Sequence, residues 1–276
     1  MIYYNKVGVR VFKGNYNFFE YKYNIVGYNG QDYGGLAQHL YLAISIILLI
    51  ILLVLFRKAS REKVLKFIRI ISIFLIIFYI TKTTWESFYD IKYDGMFNTG
   101  LLPLDACSII MLATLLSEFT NGKIKEYSDA WLATGGIVGG FATMLYLNAF
   151  KYYPFFSFGA FYSMIWHFLM VFIGLLLIIT NYVEINYKTV IKGFLFHLII
   201  SVFIIPIDFI FNFDFMMYKS LGGIPIFEDI ALNFTENGLQ VLNPIMMLLL
   251  YFLSFNIIFF IPLVIKKIKC MKKLYN

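Results

Sequence analysis

The chain has 276 residues, 61% of them hydrophobic, 20% aromatic and 14% charged, with a mean hydropathy of +0.77 and a formal net charge of +7. That balance excludes an ordinary soluble domain. It also argues against a nucleic-acid partner, because the basic residues cluster at the flanks of apolar runs and not on one polar face. The composition predicts an all-α polytopic transmembrane bundle in the cell membrane, with anionic lipid headgroups as the partners of its lysines.

The first 36 residues contain no apolar core of a signal peptide. Their stretch "VGVRVFKGNYNFFEYKYNIVGYNG" alternates Tyr, Phe and Val with Gly and Asn, which fits either a short hairpin or cover, or an aromatic tail at headgroup level. An extracytoplasmic tail over 1–36, a seven-helix domain over 37–265 and a basic cytoplasmic tail over 266–276 follow from the apolar runs. Those runs are 37–56, 66–84, 101–118, 129–147, 156–180, 190–212 and 243–265, each near the roughly 20 residues a bilayer core requires. Lys and Arg concentrate in "RKASREKVL" after the first run and in the five lysines after the last. Across seven spans these agree only with the N-terminus outside and the C-terminus inside. Lys6, Arg10, Lys13 and Lys22 in the tail oppose that orientation.

In that topology Glu86 closes the second span at its outer end. Asp105, in "NTGLLPLDACSIIML", enters the third span about 6 Å below the outer edge. A carboxylate there either serves a helix start just after Pro103, as a cap or dipole partner, or faces a polar cavity. Cys107 is a small buried residue or a nucleophile, and it sits across the membrane from Cys270, so neither forms a disulfide. The fourth span, "TGGIVGGFA", spaces glycines four apart, a signal for close helix packing. His167 lies near the middle of the fifth span as a hydrogen-bonded packing group or an acid/base.

The sixth span carries the strongest pattern. At about 100° per residue, His197, Ser201, Asp208 and Asn212 share an arc of roughly 60°, with Pro206 kinking the helix between them. Lipid cannot take that stripe, so it meets other helices or a ligand. With Glu86 and Asp214 these residues form the candidate lining of a polar cavity. No zinc spacing, HExxH or phosphate loop occurs, so no metal or cofactor is expected, and nothing fixes an oligomeric state.

Three motifs carry a resemblance. "LPLDACSI" resembles the "LPLHLCS" element of YwaF-like bacterial integral membrane proteins, with Asp105 in place of His. "YYPFFSFGAFYSMIWHF" resembles that family's Pro- and Phe-rich entry to a span containing "HG", matching at His167 while Phe168 replaces the Gly. "DFIFNFDFMMYKS" is similar to its "N…NYMFL..KP" element, with Asp208 and Asp214 in place of Asn and Ser220 in place of Pro. The resemblance extends to a eukaryotic transmembrane phospholipid acyltransferase. It implies membrane lipids as partners, a phospholipid or acyl substrate, and catalysis by a Cys and His pair: His167 resembles the family's His and would be the general base, with Cys107 as a nucleophile or Asp105 orienting an imidazole. The family's cysteine follows the motif proline directly, and that position is Leu104. Two other readings stay open: a transporter or channel for an ion or small solute, which the polar stripe with His197 suits, and a scaffold without chemistry.

Overall fold

A computed structural model describes residues 12–222 and 225–274, with side-chain surroundings up to residue 260 apart from 225 and 226. Lys6 and Arg10 lie outside the described residues, and of Cys270 and the terminal lysines only the backbone belongs to them. Among the described residues the fold is all-helical, and seven helical segments are long and apolar enough to cross a membrane, two of which, Thr99–Phe119 and Gly122–Lys151, join shorter helices. In chain order the helices are α1 (Leu36–Phe56), α2 (Arg61–Asp94), α3 (Ile109–Phe119), α4 (Gly122–Trp131), α5 (Ile137–Leu145), α6 (Phe158–Ile179), α7 (Tyr187–Phe211), α8 (Pro225–Glu236) and α9 (Leu242–Leu274). The chain forms two compact units: unit 1 takes 1–101 and 139–180, and unit 2 takes 102–138 and 181–276.

Unit 1 is built on α1, α2, α5 and α6. Ser60 starts α2 by accepting from the Lys63 amide at 3.4 Å, and Gly95, at φ 72°, ends it with its N–H on Ile91 O. Its 34 residues span about 51 Å, well over a bilayer core of about 30 Å. The last turns, with Lys82, Trp85, Tyr89 and Tyr93, are therefore amphipathic in place of apolar. Gln38 on α1 satisfies both of its ends against the end of α5 and the turn after it, donating to Met144 O at 2.7 Å and accepting from the Leu147 amide at 3.0 Å. Tyr41 donates to Met164 O at 3.0 Å and ties α1 to α6. Gly140 lets α5 approach α6 so closely that a β-carbon there would stand 3.0 Å from His167 O and 2.8 Å from Met170 Cβ.

The N-terminal segment is a cover and not a hairpin: among the described residues it contains no strand, only one 3-10 turn at Lys22–Asn24. Frequent Gly and Asn interrupt the alternation a strand needs. Side-chain hydrogen bonds hold it instead. Asp32 accepts from the backbone amides of Phe12 (3.1 Å) and Phe155 (2.8 Å), and Trp85 donates to Phe19 O at 3.2 Å. Tyr21, fully buried, stacks on Tyr89 at 4.9 Å and donates to Asp90. Burial first, then Asp90, pushes the Tyr21 hydroxyl well above the ordinary tyrosine range. Its contribution to stability is therefore present below the unfolded value of about 10 and lost as the pH climbs from there. Tyr21→Phe is expected to leave Asp90 without that donor at a cost of about 1 to 3 kcal/mol. Thermal unfolding in detergent and proteolysis within 12–35 measure it; an unchanged Tm and cleavage rate refute the role.

Unit 2 packs α3, α4, α7, α8 and α9. Between α4 and α5 the helix widens into a π-helical segment, Leu132–Gly136. Gly135 leaves room there for the Phe255 ring of α9. Gly193 on α7 marks a close backbone approach to α4, since a β-carbon there would meet Thr134 Oγ1 and stand 3.0 Å from Ala130 O. Asp129 accepts from Ser117, and Lys125 lies 3.7 Å from Asp129 and over the Tyr182 ring.

Candidate functional site in the second unit

The segment after α7 decides what the polar stripe does. Asn212 ends α7 in the left-handed region at φ 57°, and Met216, Met217 and Leu221 also hold positive φ. Non-glycine residues in this region are costly and need surroundings that hold them there. Those surroundings are side chains of the stripe. Asp208 accepts from the Phe215 amide at 2.9 Å, and Asp214 accepts from the amides of Lys219 (2.7 Å) and Ser220 (3.3 Å). Asn212 accepts from Lys219 Nζ, and Asn243 at the start of α9 donates to Lys219 O at 3.0 Å.

The loop delivers Tyr218 into the interior. Tyr218 is fully buried; its hydroxyl hydrogen-bonds Ser201 and stands 3.5 Å from His197 Nε2. Burial pushes this hydroxyl up to about 12, against the lowering effect of the Ser201 hydrogen bond, so it is a neutral phenol at physiological pH. The His197 ring is covered by Tyr251 of α9 at 4.3 Å and by Phe255 at 5.7 Å. His197, Ser201 and Asp208 are all buried, while Asn212 and Asp214 are exposed. Among the buried acceptor-capable atoms of this unit, His197 Nδ1, Asp208 Oδ2 and Asn243 Oδ1 have no hydrogen-bond partner.

Asp105 and Cys107 belong to the same unit. The predicted helix start after Pro103 is delayed: Asp105 is extended (φ −72°, ψ 154°), residues 106–108 make one 3-10 turn, and α3 begins at Ile109. The Asp105 side chain makes no capping hydrogen bond to that turn, so the cap reading is corrected. Its carboxylate lies in the electrostatic field of Asp208 and of Tyr251, and Tyr251 also feels Cys107, which is half-buried. Glu86 and His167 are held within unit 1. Glu86 pairs with Lys82 and accepts from Tyr153 at 3.4 Å, and His167 Nδ1 contacts Ser163 O at 2.8 Å.

Beside the polar interior runs a groove of about 770 Å³, inside the 300–1,000 Å³ range of small-molecule sites. Pro103, Leu104 and Ser108 line one end, Lys123 and Tyr127 the other, and Ile200 and Phe203 one flank. Nearly all of the lining is apolar. Helix α7 separates the two features, presenting His197, Ser201 and Asp208 on one face and the groove residues on the adjoining one.

A family model described as the TMEM164 family matches residues 33–266. The chain belongs to the TMEM164 family. The match takes in α1 through most of α9, including all three motifs that carry the sequence resemblance, and begins at the last turn of the N-terminal cover. No curated protein and no solved structure matches the chain. Among the described residues no group of three His, Cys, Asp or Glu side chains is arranged to hold a metal ion.

Sequence reasoning missed Tyr218 and Tyr251, which complete the surroundings of His197. Their signal was weak: both are single tyrosines in a chain with 21 of them. Only the positive-φ loop and the α9 packing bring them to the imidazole.

Proposed function

We propose that this TMEM164-family protein binds a membrane amphiphile, with the acyl chain in the groove of unit 2 and the polar end beside the Pro103–Ser108 turn, and that it modifies the acyl linkage there. The observation that carries this reading is the groove itself. An apolar channel flanked along one side by a buried polar stripe suits a molecule with a chain and a headgroup, whereas an ion path needs polar groups along its length. The motif resemblance supplies the acyl chemistry, and Asp105 and Cys107 of that motif lie in the Pro103–Ser108 turn. The charge distribution supports an orientation with the N-terminus outside, which sets the Pro103 end toward the outer leaflet.

The test is retention of lipid. The purified chain, exchanged extensively into detergent, is expected to keep one bound amphiphile per chain by native mass spectrometry. Ile200→Trp, which fills the flank of the groove, is expected to release it while the Tm and gel-filtration profile stay those of the wild type. Equal loss of lipid from both proteins would end the proposal.

A further inference from the structure

The hydrogen bonds around His197 fix where its proton sits. Ser201 has one hydroxyl hydrogen, and it is used on His197 O at 2.8 Å, one turn back along α7. The bond between Ser201 Oγ and the Tyr218 hydroxyl must then be donated by Tyr218. With its own hydrogen spent, the Tyr218 oxygen faces His197 Nε2 at 3.5 Å as an acceptor, so Nε2 carries the imidazole hydrogen. A neutral imidazole has one N–H only, which leaves Nδ1 with a bare lone pair. That is the ring atom that is buried and has no partner, on a side chain 1% exposed.

His167 has the opposite arrangement. Its Nδ1 lies against the Ser163 carbonyl at 2.8 Å and is the donor. The two buried imidazoles of the chain are therefore different tautomers, and the one in the unit with the groove points its basic nitrogen away from its own hydrogen-bond chain.

We infer that His197 is the proton acceptor of unit 2, held as the Nε2–H tautomer by Tyr218 and Ser201, and that Nδ1 receives the hydrogen of a ligand hydroxyl. A neutral hydroxyl fits better than an ammonium group. The partners of His197 are Ser201, Tyr218, Tyr251 and Phe255, none of them charged. The carboxylate of the same stripe, Asp208, is eleven residues further along α7, about 16 Å by helix rise. The groove is close by along the chain: Phe196 and Ile200, on either side of His197 along α7, line it, and so does Met216, whose carbonyl accepts from Tyr251 at 3.2 Å.

This inference rests on the proposed function for its chemistry. The ligand O–H bond breaks, its proton goes to Nδ1, and its oxygen bonds the carbonyl carbon of an acyl ester. The departing alcohol oxygen then takes the proton back from Nδ1, and the imidazole is unchanged. Tyr218 does not touch the ligand; it is a positioning residue that fixes the tautomer.

The experiment is ¹⁵N NMR of histidine-labelled protein in nanodiscs, with His197→Gln used to assign the signal. The wild type is expected to show an unprotonated Nδ1 and a protonated Nε2. Tyr218→Phe, with an unchanged gel-filtration profile, is expected to shift population toward the Nδ1–H tautomer. An Nδ1–H signal in the wild type, or no response to Tyr218→Phe, overturns the inference. A monoacylglycerol is then expected to move the Nδ1 resonance, and its dimethyl ether, which has the chain without hydroxyls, is not. Equal responses to both, or no response although native mass spectrometry shows both held, overturns the hydroxyl assignment. If neither compound is held, the groove reading fails, and the tautomer measurement still decides the role of Tyr218.

Discussion

Gly193→Leu is expected to be the most destabilising single substitution in unit 2. A β-carbon at residue 193 would stand 3.0 Å from Ala130 O and 3.2 Å from Ala130 C, which are backbone atoms of α4, and 2.3 Å from Thr134 Oγ1. Thr134 has little freedom to turn aside, because its hydroxyl donates to Ala130 O at 2.7 Å. The helices must therefore separate. Overpacking of a filled interior costs about 1 to 3 kcal/mol for added methylenes and more where backbone must move. Separation would also pull Lys192 from Glu126, a pair 2.7 Å apart but exposed, and so a minor contribution. The expected result is a lower Tm in detergent and loss of monodisperse protein, with Gly193→Ala intermediate. Gly139→Ala is the control, since a β-carbon there would meet only the Met170 methyl, at 3.7 Å. Equal Tm values for Gly193→Leu and Gly139→Ala would show that α4 and α7 are not locked at Gly193.

The spans were legible in the sequence because hydrocarbon thickness imposes one length on every crossing helix. The seven apolar runs and the seven candidate spans among the described residues correspond one to one, most within a few residues at their ends. The departures have physical causes. The second helix continues to Asp94, ten residues past the apolar run, because Trp85, Tyr89 and Tyr93 find partners in the N-terminal cover, which a hydropathy window does not register. The helix α8 was not foreseen, since its polar residues Glu228 and Asp229 place it outside any apolar window. Glycines at a spacing of four drew attention to residues 135–140, where Gly135 and Gly140 do meet neighbouring helices, but an equally close backbone approach lies at Gly193, which has no glycine partner on its own helix. Helix contact is set by both surfaces, and one sequence pattern reveals only one of them.

The site was half legible. The stripe on α7 follows from helical periodicity, and His197, Ser201 and Asp208 are indeed buried. Periodicity gives no information on what enters from elsewhere in the chain. Tyr218 arrives on a loop held by Asp208, Asn212 and Asp214. The acidic residues singled out for chemistry thus also serve as the framework that positions a tyrosine.

Cys107→Ser is expected to leave any acyl modification within about tenfold of the wild type, where loss of a true covalent nucleophile costs about 10⁴ to 10⁶. A thiol acts as the thiolate, which positive charge stabilises and negative charge opposes. Around the Pro103–Ser108 turn the charges are mostly negative. Asp105 lies two residues from Cys107, its field reaches Asp208, and Asp208 also feels Asp214; Lys219 is the cation in that set, already committed to Asn212. The N-terminus of α3, at Ile109 just beyond the cysteine, favours a thiolate, but by only about 0.3 to 1 kcal/mol. Slow labelling of Cys107 by a thiol-reactive probe is expected, with no acceleration when an acyl ester is added. The comparison uses Cys107→Ser, His167→Ala and His197→Gln at matched expression, each assayed in proteoliposomes for transfer of a deuterated acyl chain from an ester to a hydroxyl acceptor. Loss confined to His197→Gln supports hydroxyl attack assisted by that imidazole. If Cys107 labels rapidly, and Cys107→Ser and His167→Ala both abolish transfer while His197→Gln does not, the reaction runs through a Cys and His pair, and the electrostatic argument against the thiolate is wrong.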